Sequence, residues 1–158
     1  MIAMFRPFCL YEIRGISMLG YDIFIYIVLG VIILFFLLGL KSQKGKAIGL
    51  VDGKLAPSGF KPNCAASESC EIAKHQVEPL KGNLEQAKAA IVASGGTVTS
   101  ETDSYVSATY MSKLFKFVDD VELRDAGKGA VHIRSASRVG YSDRGMNHKR
   151  VEQIRATL

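Results

Sequence analysis

The alternation of apolar and polar positions changes character three times along the chain. Ile23–Leu40 reads IFIYIVLGVIILFFLLGL, 18 residues without a charge. At 1.5 Å per residue that run extends roughly 27 Å, near the thickness of a bilayer's hydrocarbon core. It is too apolar all round for a surface helix, and the remaining chain is too short to bury it as a core helix. Beyond it the pattern takes a helical period. Leu80, Leu84, Ala87 and Ile91 share one face, Asn83 and Gln86 have the spacing of a capping box, and Gly95-Gly96 supply a stop. The period then drops to two. Thr97–Thr102 and Tyr105–Lys113 read as strands around an Asp103-Ser104 turn, and Phe115–Arg124 and Ala130–Val139 as a hairpin around Asp125–Lys128. Phe115, Phe117, Asp119, Val121 and Leu123 share the inward face of one hairpin strand. Val131, Ile133, Ser135, Ser137 and Val139 share that of the other. A last amphipathic helix begins near Asn147, with Val151, Ile154 and Leu158 inward.

This order predicts an α+β domain: a four-stranded antiparallel sheet with two covering helices, preceded by one transmembrane helix. The chain divides into an N-terminal segment (1–22), the span (23–40), a basic linker rich in Gly, Lys, Pro and Ser (41–62) and the domain (63–158). Residues 1–17 are neither polar enough for a tail nor apolar enough for a span, and Met18 makes a natural start, so 1–17 read as a mis-called extension. Leu-Gly-Leu-Lys is a poor cleavage site, which favours a retained anchor over a signal peptide.

Charge adds polarity to this picture. The net charge is +5, distributed as 0 over residues 1–40, +4 over 41–62, −4 over 63–123 and +5 over 124–158. A dipolar domain without a recognised motif argues against nucleic acid as a partner. Lys41, Lys44 and Lys46 at the end of the span argue for a cytoplasmic domain by the positive-inside rule. Cys64 and Cys70 pull weakly the other way, because two cysteines six apart can form a disulfide in an oxidising compartment; two thiols in a reducing one fit equally well. Cys9 lies before the span, apart from both.

Candidate chemistry is sparse. Cys64 with His75 offers a nucleophile and a base but no surrounding signature of a catalytic cysteine. Cys64, Cys70 and His75 are spaced too loosely for a structural zinc site, and no metal or cofactor is indicated. Asp119, Asp120 and Glu122 are split by strand alternation, with Asp119 on one face and the other two on the opposite one. The expected hairpin register sets Asp120 against Arg134 as a cross-strand pair and Asp119 near Ser135. Arg134, Arg138, Arg144 and Arg150 are candidates for a small anion or lipid headgroup. The corner Val139–Asp143 reads as mainly architectural: Gly140 bends the chain, Tyr141 covers the sheet edge, and Arg138 and Asp143 join its hydrogen bonds. Its rival is an anion site of Arg138, Arg144 and the helix amides.

Two segments resemble a known family. Pro62-Asn63-Cys64-Ala65-Ala66-Ser67 resembles a Pro-Asn-Cys-Val-Ser-Ser signature. Phe117–Glu122, then Arg134-Ser135-Ala136-Ser137-Arg138-Val139-Gly140-Tyr141-Ser142-Asp143, with Gly145, Asn147 and Arg150, resembles its second half. The family is the bacterial and plant group catalogued as domain of unknown function 1499, and the likeness covers roughly residues 50–158. Ala65-Ala66 departs from its usual Val-Ser. The resemblance implies a membrane-attached or exported protein, with a chloroplast connection in plants, and no reaction. It tips the expected side of the membrane to the outer, periplasmic-type one. The function expected is a membrane-anchored, non-catalytic module that binds a protein partner or supports a membrane complex. The alternatives are an anion- or headgroup-binding domain and a Cys-dependent enzyme.

Overall fold

The computed structural model describes residues 10–158, with side chains from residue 20. Most of the N-terminal segment read as a mis-called extension, Cys9 included, lies outside the residues so described. The chain divides into two compact units, Met1–Leu37 and Leu38–Leu158.

One continuous helix, α1, runs Leu10–Gln43. Within it Gly20–Gln43 is long and apolar enough to cross a membrane, and a signal sequence near an N-terminus passes the same test of length and composition. Its apolar side chains from Ile23 to Leu34 are exposed.

The second unit holds the last turn of α1 and the α+β domain. In chain order its elements are β1 (Leu50–Val51), β2 (Lys54–Leu55), β3 (Cys64–Ala66), a single 3-10 turn (Ala73–His75), β4 (Leu80–Lys81), α2 (Leu84–Ala93), β5 (Thr97–Thr102), β6 (Tyr105–Met111), β7 (Val118–Gly127), β8 (Ala130–Ser137) and α3 (Met146–Thr157). β1 and β2 make a small hairpin. The main sheet is antiparallel and has six strands rather than four, in the order β3-β8-β7-β6-β5, with β4 also paired to β8. The two additional strands are three and two residues long, too short for alternation to register in the sequence.

The helix α2 starts where the capping box places it. Asn83 Oδ1 accepts from the Gln86 amide at 2.9 Å, and Gln86 Oε1 accepts from the Asn83 amide at 3.0 Å. It ends at Gly95, whose φ of +93° suits a residue without a side chain. Leu84, Ala87, Ala90 and Ile91 of α2 and Val151 and Ile154 of α3 share one apolar cluster with Val106, Ala108, Val121, Leu123, Val131 and Ile133. Leu158, expected inward, is 45% exposed, one residue past the end of α3.

The β7–β8 hairpin forms, but its register differs from expectation. The turn is the two residues Lys128-Gly129, both at positive φ, and the ladder is irregular between Asp125 and Gly127. Moving the turn towards the C-terminus slides every partner by two. Asp119 faces Ser137, Asp120 faces Ala136 and Glu122 faces Arg134. A two-residue slide keeps each side chain on its expected face, so the core survives while the ion pairing changes. Phe115 and Phe117 fall outside β7, in the connection that precedes it.

Parts of the stretch read as a linker pack onto this unit. Leu55 and Ala56 are buried, and the Gly49 amide donates to Glu122 Oε1 at 2.7 Å.

Candidate functional site

Strand alternation gives the sheet a second face, opposite the apolar cluster. Register puts Tyr105, Ser107 and Thr109 of β6, Asp120, Glu122 and Arg124 of β7, His132, Arg134 and Ala136 of β8, and Cys64 and Ala66 of β3 on it. Among the described residues, three arginine–carboxylate ion pairs lie across this face. The Arg124 guanidinium donates to both oxygens of Glu68 at 2.8 and 2.7 Å. Arg134 Nη1 donates to Glu122 Oε2 at 2.8 Å. Arg138 donates to both oxygens of Asp120 at 2.8 and 2.6 Å and, through Nη1, to the Ser42 carbonyl at 3.1 Å. The pairing of Asp120 with Arg134 is therefore corrected: each has a different partner, as the slid register requires.

Glu122 is wholly enclosed, and Asp120 and Arg134 are nearly so. Buried charge survives only where its lone pairs and protons are met. Glu122 also accepts the Tyr105 hydroxyl at 2.7 Å and the Gly49 amide. Burial, followed by that hydrogen bond to Glu122, pushes the Tyr105 phenol far up. Burial alone would raise Glu68; the Arg124 hydrogen bonds, the Leu55 amide at 2.9 Å and the charges of His132 and Arg124 outweigh it and hold the carboxyl below its usual range.

Beside the pairs lies a cleft of about 760 Å³. Thr99, Ser100, Tyr105, Ser107 and Thr109 give it a hydroxyl floor, and Gly45 to Ala47 and Arg138 line it from the chain that follows α1 and from β8's end. The irregularity in β5 between Val98 and Ser100 turns Thr99 to this face, where its hydroxyl meets that of Ser107 at 2.9 Å. A smaller hollow of about 230 Å³ is lined by Lys46, Asp120, Arg134 and Arg138. Among the described residues, Arg134 Nε and His75 Nδ1 are buried side-chain nitrogens without a hydrogen-bond partner.

The four arginines singled out from sequence do not converge. Arg134 and Arg138 belong to the polar face. Arg150 lies on the other side, donating to Asp119 at 2.8 Å and stacked 4.7 Å from the Tyr110 ring centroid. Arg144 is exposed. Cys64 and Cys70 are free thiols. Burial, tempered by the Arg134 charge, pushes the Cys64 thiol up to about 11, the opposite of nucleophile activation. Among the described residues no hydrogen bond joins Cys64 to His75, and no three His, Cys, Asp or Glu side chains gather where a metal ion would be held.

Two asparagines carry more of the architecture than the sequence indicated. Asn147, fully buried, donates to the Asn63 carbonyl at 2.8 Å, Ser137 Oγ at 3.1 Å and Asp143 Oδ2 at 2.6 Å, and accepts from Ser135 Oγ at 2.6 Å. Asn63 donates to the Gly140 carbonyl at 3.1 Å. Asp143 accepts the Gly145 and Asn147 amides at 2.9 and 2.7 Å, opening α3. Gly140 makes the bend at φ +95°, and Tyr141, expected to cover the sheet edge, is 72% exposed. The only signal for Asn63 and Asn147 is their place in the two signature segments, which these bonds tie together.

Comparison with curated proteins and with solved structures finds no match. A family model does match, over residues 54–158, a range that takes in the polar face, the Asn63–Asn147 corner and both signature segments. The chain therefore belongs to the family described as protein of unknown function DUF1499.

Proposed function

We propose that the protein is a non-catalytic binding module anchored to a membrane by α1, with α2 and α3 as the cover of one sheet face and the hydroxyl-floored cleft on the other as its binding surface. The cleft carries this reading. It is large enough for a polar ligand or a short partner segment. Its floor is antiparallel sheet, β5 paired with β6. It opens beside the chain that leaves α1, where a membrane-embedded or membrane-bound partner is close at hand. The raised Cys64 thiol weighs against the cysteine-enzyme reading. The outer side of the membrane is favoured by family resemblance, against the flanking lysines; a C-terminal alkaline-phosphatase fusion that stays inactive reverses that orientation.

The test is a photo-crosslinking residue in place of Ser100 in native membranes. A discrete adduct is expected, lost when Thr109→Trp fills the cleft and absent when the crosslinker replaces Val92. An unchanged adduct pattern with Thr109→Trp would refute the cleft as the binding surface.

A second reading, a small anion or headgroup as the ligand, draws on Arg134 Nε, buried without a partner beside Lys46. Calorimetry with inorganic phosphate checks it: Lys46→Gln, at an exposed position, should abolish the heat of binding without altering the fold.

A further inference from the structure

The connection between β6 and β7, Ser112–Phe117, is held against the last turn of α1. A Cβ at Gly39 would overlap the Phe115 carbonyl oxygen, so the absence of a side chain there permits the approach. The buried Ser42 Oγ accepts the Val118 amide at 3.1 Å, and Gln43 Nε2 donates to the Lys116 carbonyl at 3.4 Å. The connection is closed on itself as well. The Ser112 amide donates to the Phe117 carbonyl at 2.8 Å, and the Phe117 amide to Ser112 Oγ at 2.9 Å. A rigid turn is therefore fixed to the residues where the apolar run ends at Leu40 and the first charge, Lys41, begins.

What this turn shows to its surroundings is unusual for a loop in water. Leu114 is 67% exposed and Met111 56%, with Lys113 and Lys116 exposed on either side of Leu114. Lys41 and Lys44 are exposed at the end of α1. An apolar tip between cations matches an anionic bilayer surface, where the tip enters the headgroup boundary and the ammonium groups meet phosphates.

We propose that Ser112–Phe117 is a membrane-contact element that inserts Leu114 into the interface of an anionic lipid surface. It gives the folded unit a lipid contact of its own. The inference rests on the anchor reading of α1, because the turn is carried to the interface by the residues that end the apolar run.

The chain contains no Trp, so a single introduced Trp is its own reporter. Three full-length variants are compared: Leu114→Trp at the tip, Val92→Trp at an exposed site on α2, and Tyr26→Trp in the apolar run. Each is reconstituted in phosphatidylcholine vesicles with and without phosphatidylglycerol, using lipids brominated near the top of the acyl chains. Leu114→Trp should be quenched roughly twofold or more in the anionic vesicles, while Val92→Trp is not quenched. Lys113→Glu with Lys116→Glu should remove most of that quenching. Leu114→Trp as unquenched as Val92→Trp, beside a quenched Tyr26→Trp, overturns the contact element and leaves the anchor standing. Tyr26→Trp unquenched as well overturns both.

Discussion

At the scale of single residues, the polar face is governed by which carboxylate meets which guanidinium. Arg138 holds Asp120 through two hydrogen bonds and reaches the Ser42 carbonyl. Removing one partner of such a pair leaves the other buried and uncompensated. Arg138→Ala should therefore cost about 3 kcal/mol in a urea titration with no ligand present; an unchanged midpoint would show the corner is not architectural. Glu68 makes a statement about pH. Its folded carboxyl titrates below the ordinary 4.5. Its contribution is thus complete above that value and is lost as pH falls through the lower, folded one. Glu68→Gln should flatten the acid limb of stability measured between neutral pH and acid, and a limb of unchanged steepness would contradict this. Cys64, pushed up to about 11, should stay a thiol at neutral pH. In a Cys9→Ser background, iodoacetamide should label Cys70 in the folded protein and Cys64 only on unfolding, read by mass spectrometry. Equal labelling would sink that expectation. The Asp120–Arg134 pairing could not be read correctly from residues alone, because Glu122 and Arg138 lie on the same face and compete for the same partners.

At the scale of elements, local chemistry was legible wherever it was self-contained. The α2 capping box needs only Asn83 and Gln86, and both hydrogen bonds form. Asn83→Ala should cost about 1 kcal/mol in the same titration. The hairpin faces were equally legible, since a period of two fixes them. Its register was not. Asp125–Lys128 offers several turn placements, and the chain takes the two-residue Lys128-Gly129 turn with an irregularity at Asp125–Gly127, a geometry that matches the twist of the flanking strands. β3 and β4 escaped notice because three and two residues cannot show a period, and their pairing depends on the free edge of β8, formed far along the chain.

At the scale of the whole molecule, the family match begins at residue 54, while the folded unit begins at Leu38. The interval supplies the Gly49 amide to Glu122 and the Ser42 carbonyl to Arg138. A fragment 54–158 should accordingly be less stable than 38–158 by roughly 3–6 kcal/mol, since hydrogen bonds to charged groups are worth about 1.5–3 kcal/mol each and two are lost. Coincident urea transitions would argue that residues 38–53 are a passive tether. The sequence by itself determined the apolar run, the α+β class, the faces of the two hairpin strands and the family, because these follow from local period, length and contiguous motif. Only the tertiary structure decided the partners of Asp120 and Arg134, the joining of Asn63 to Asn147 and the contacts of Gly49, Leu55 and Ala56 with the folded unit. The first turns on which turn closes the hairpin, a choice the two-residue period leaves open; the other two join segments more than seventy residues apart, which no local window contains.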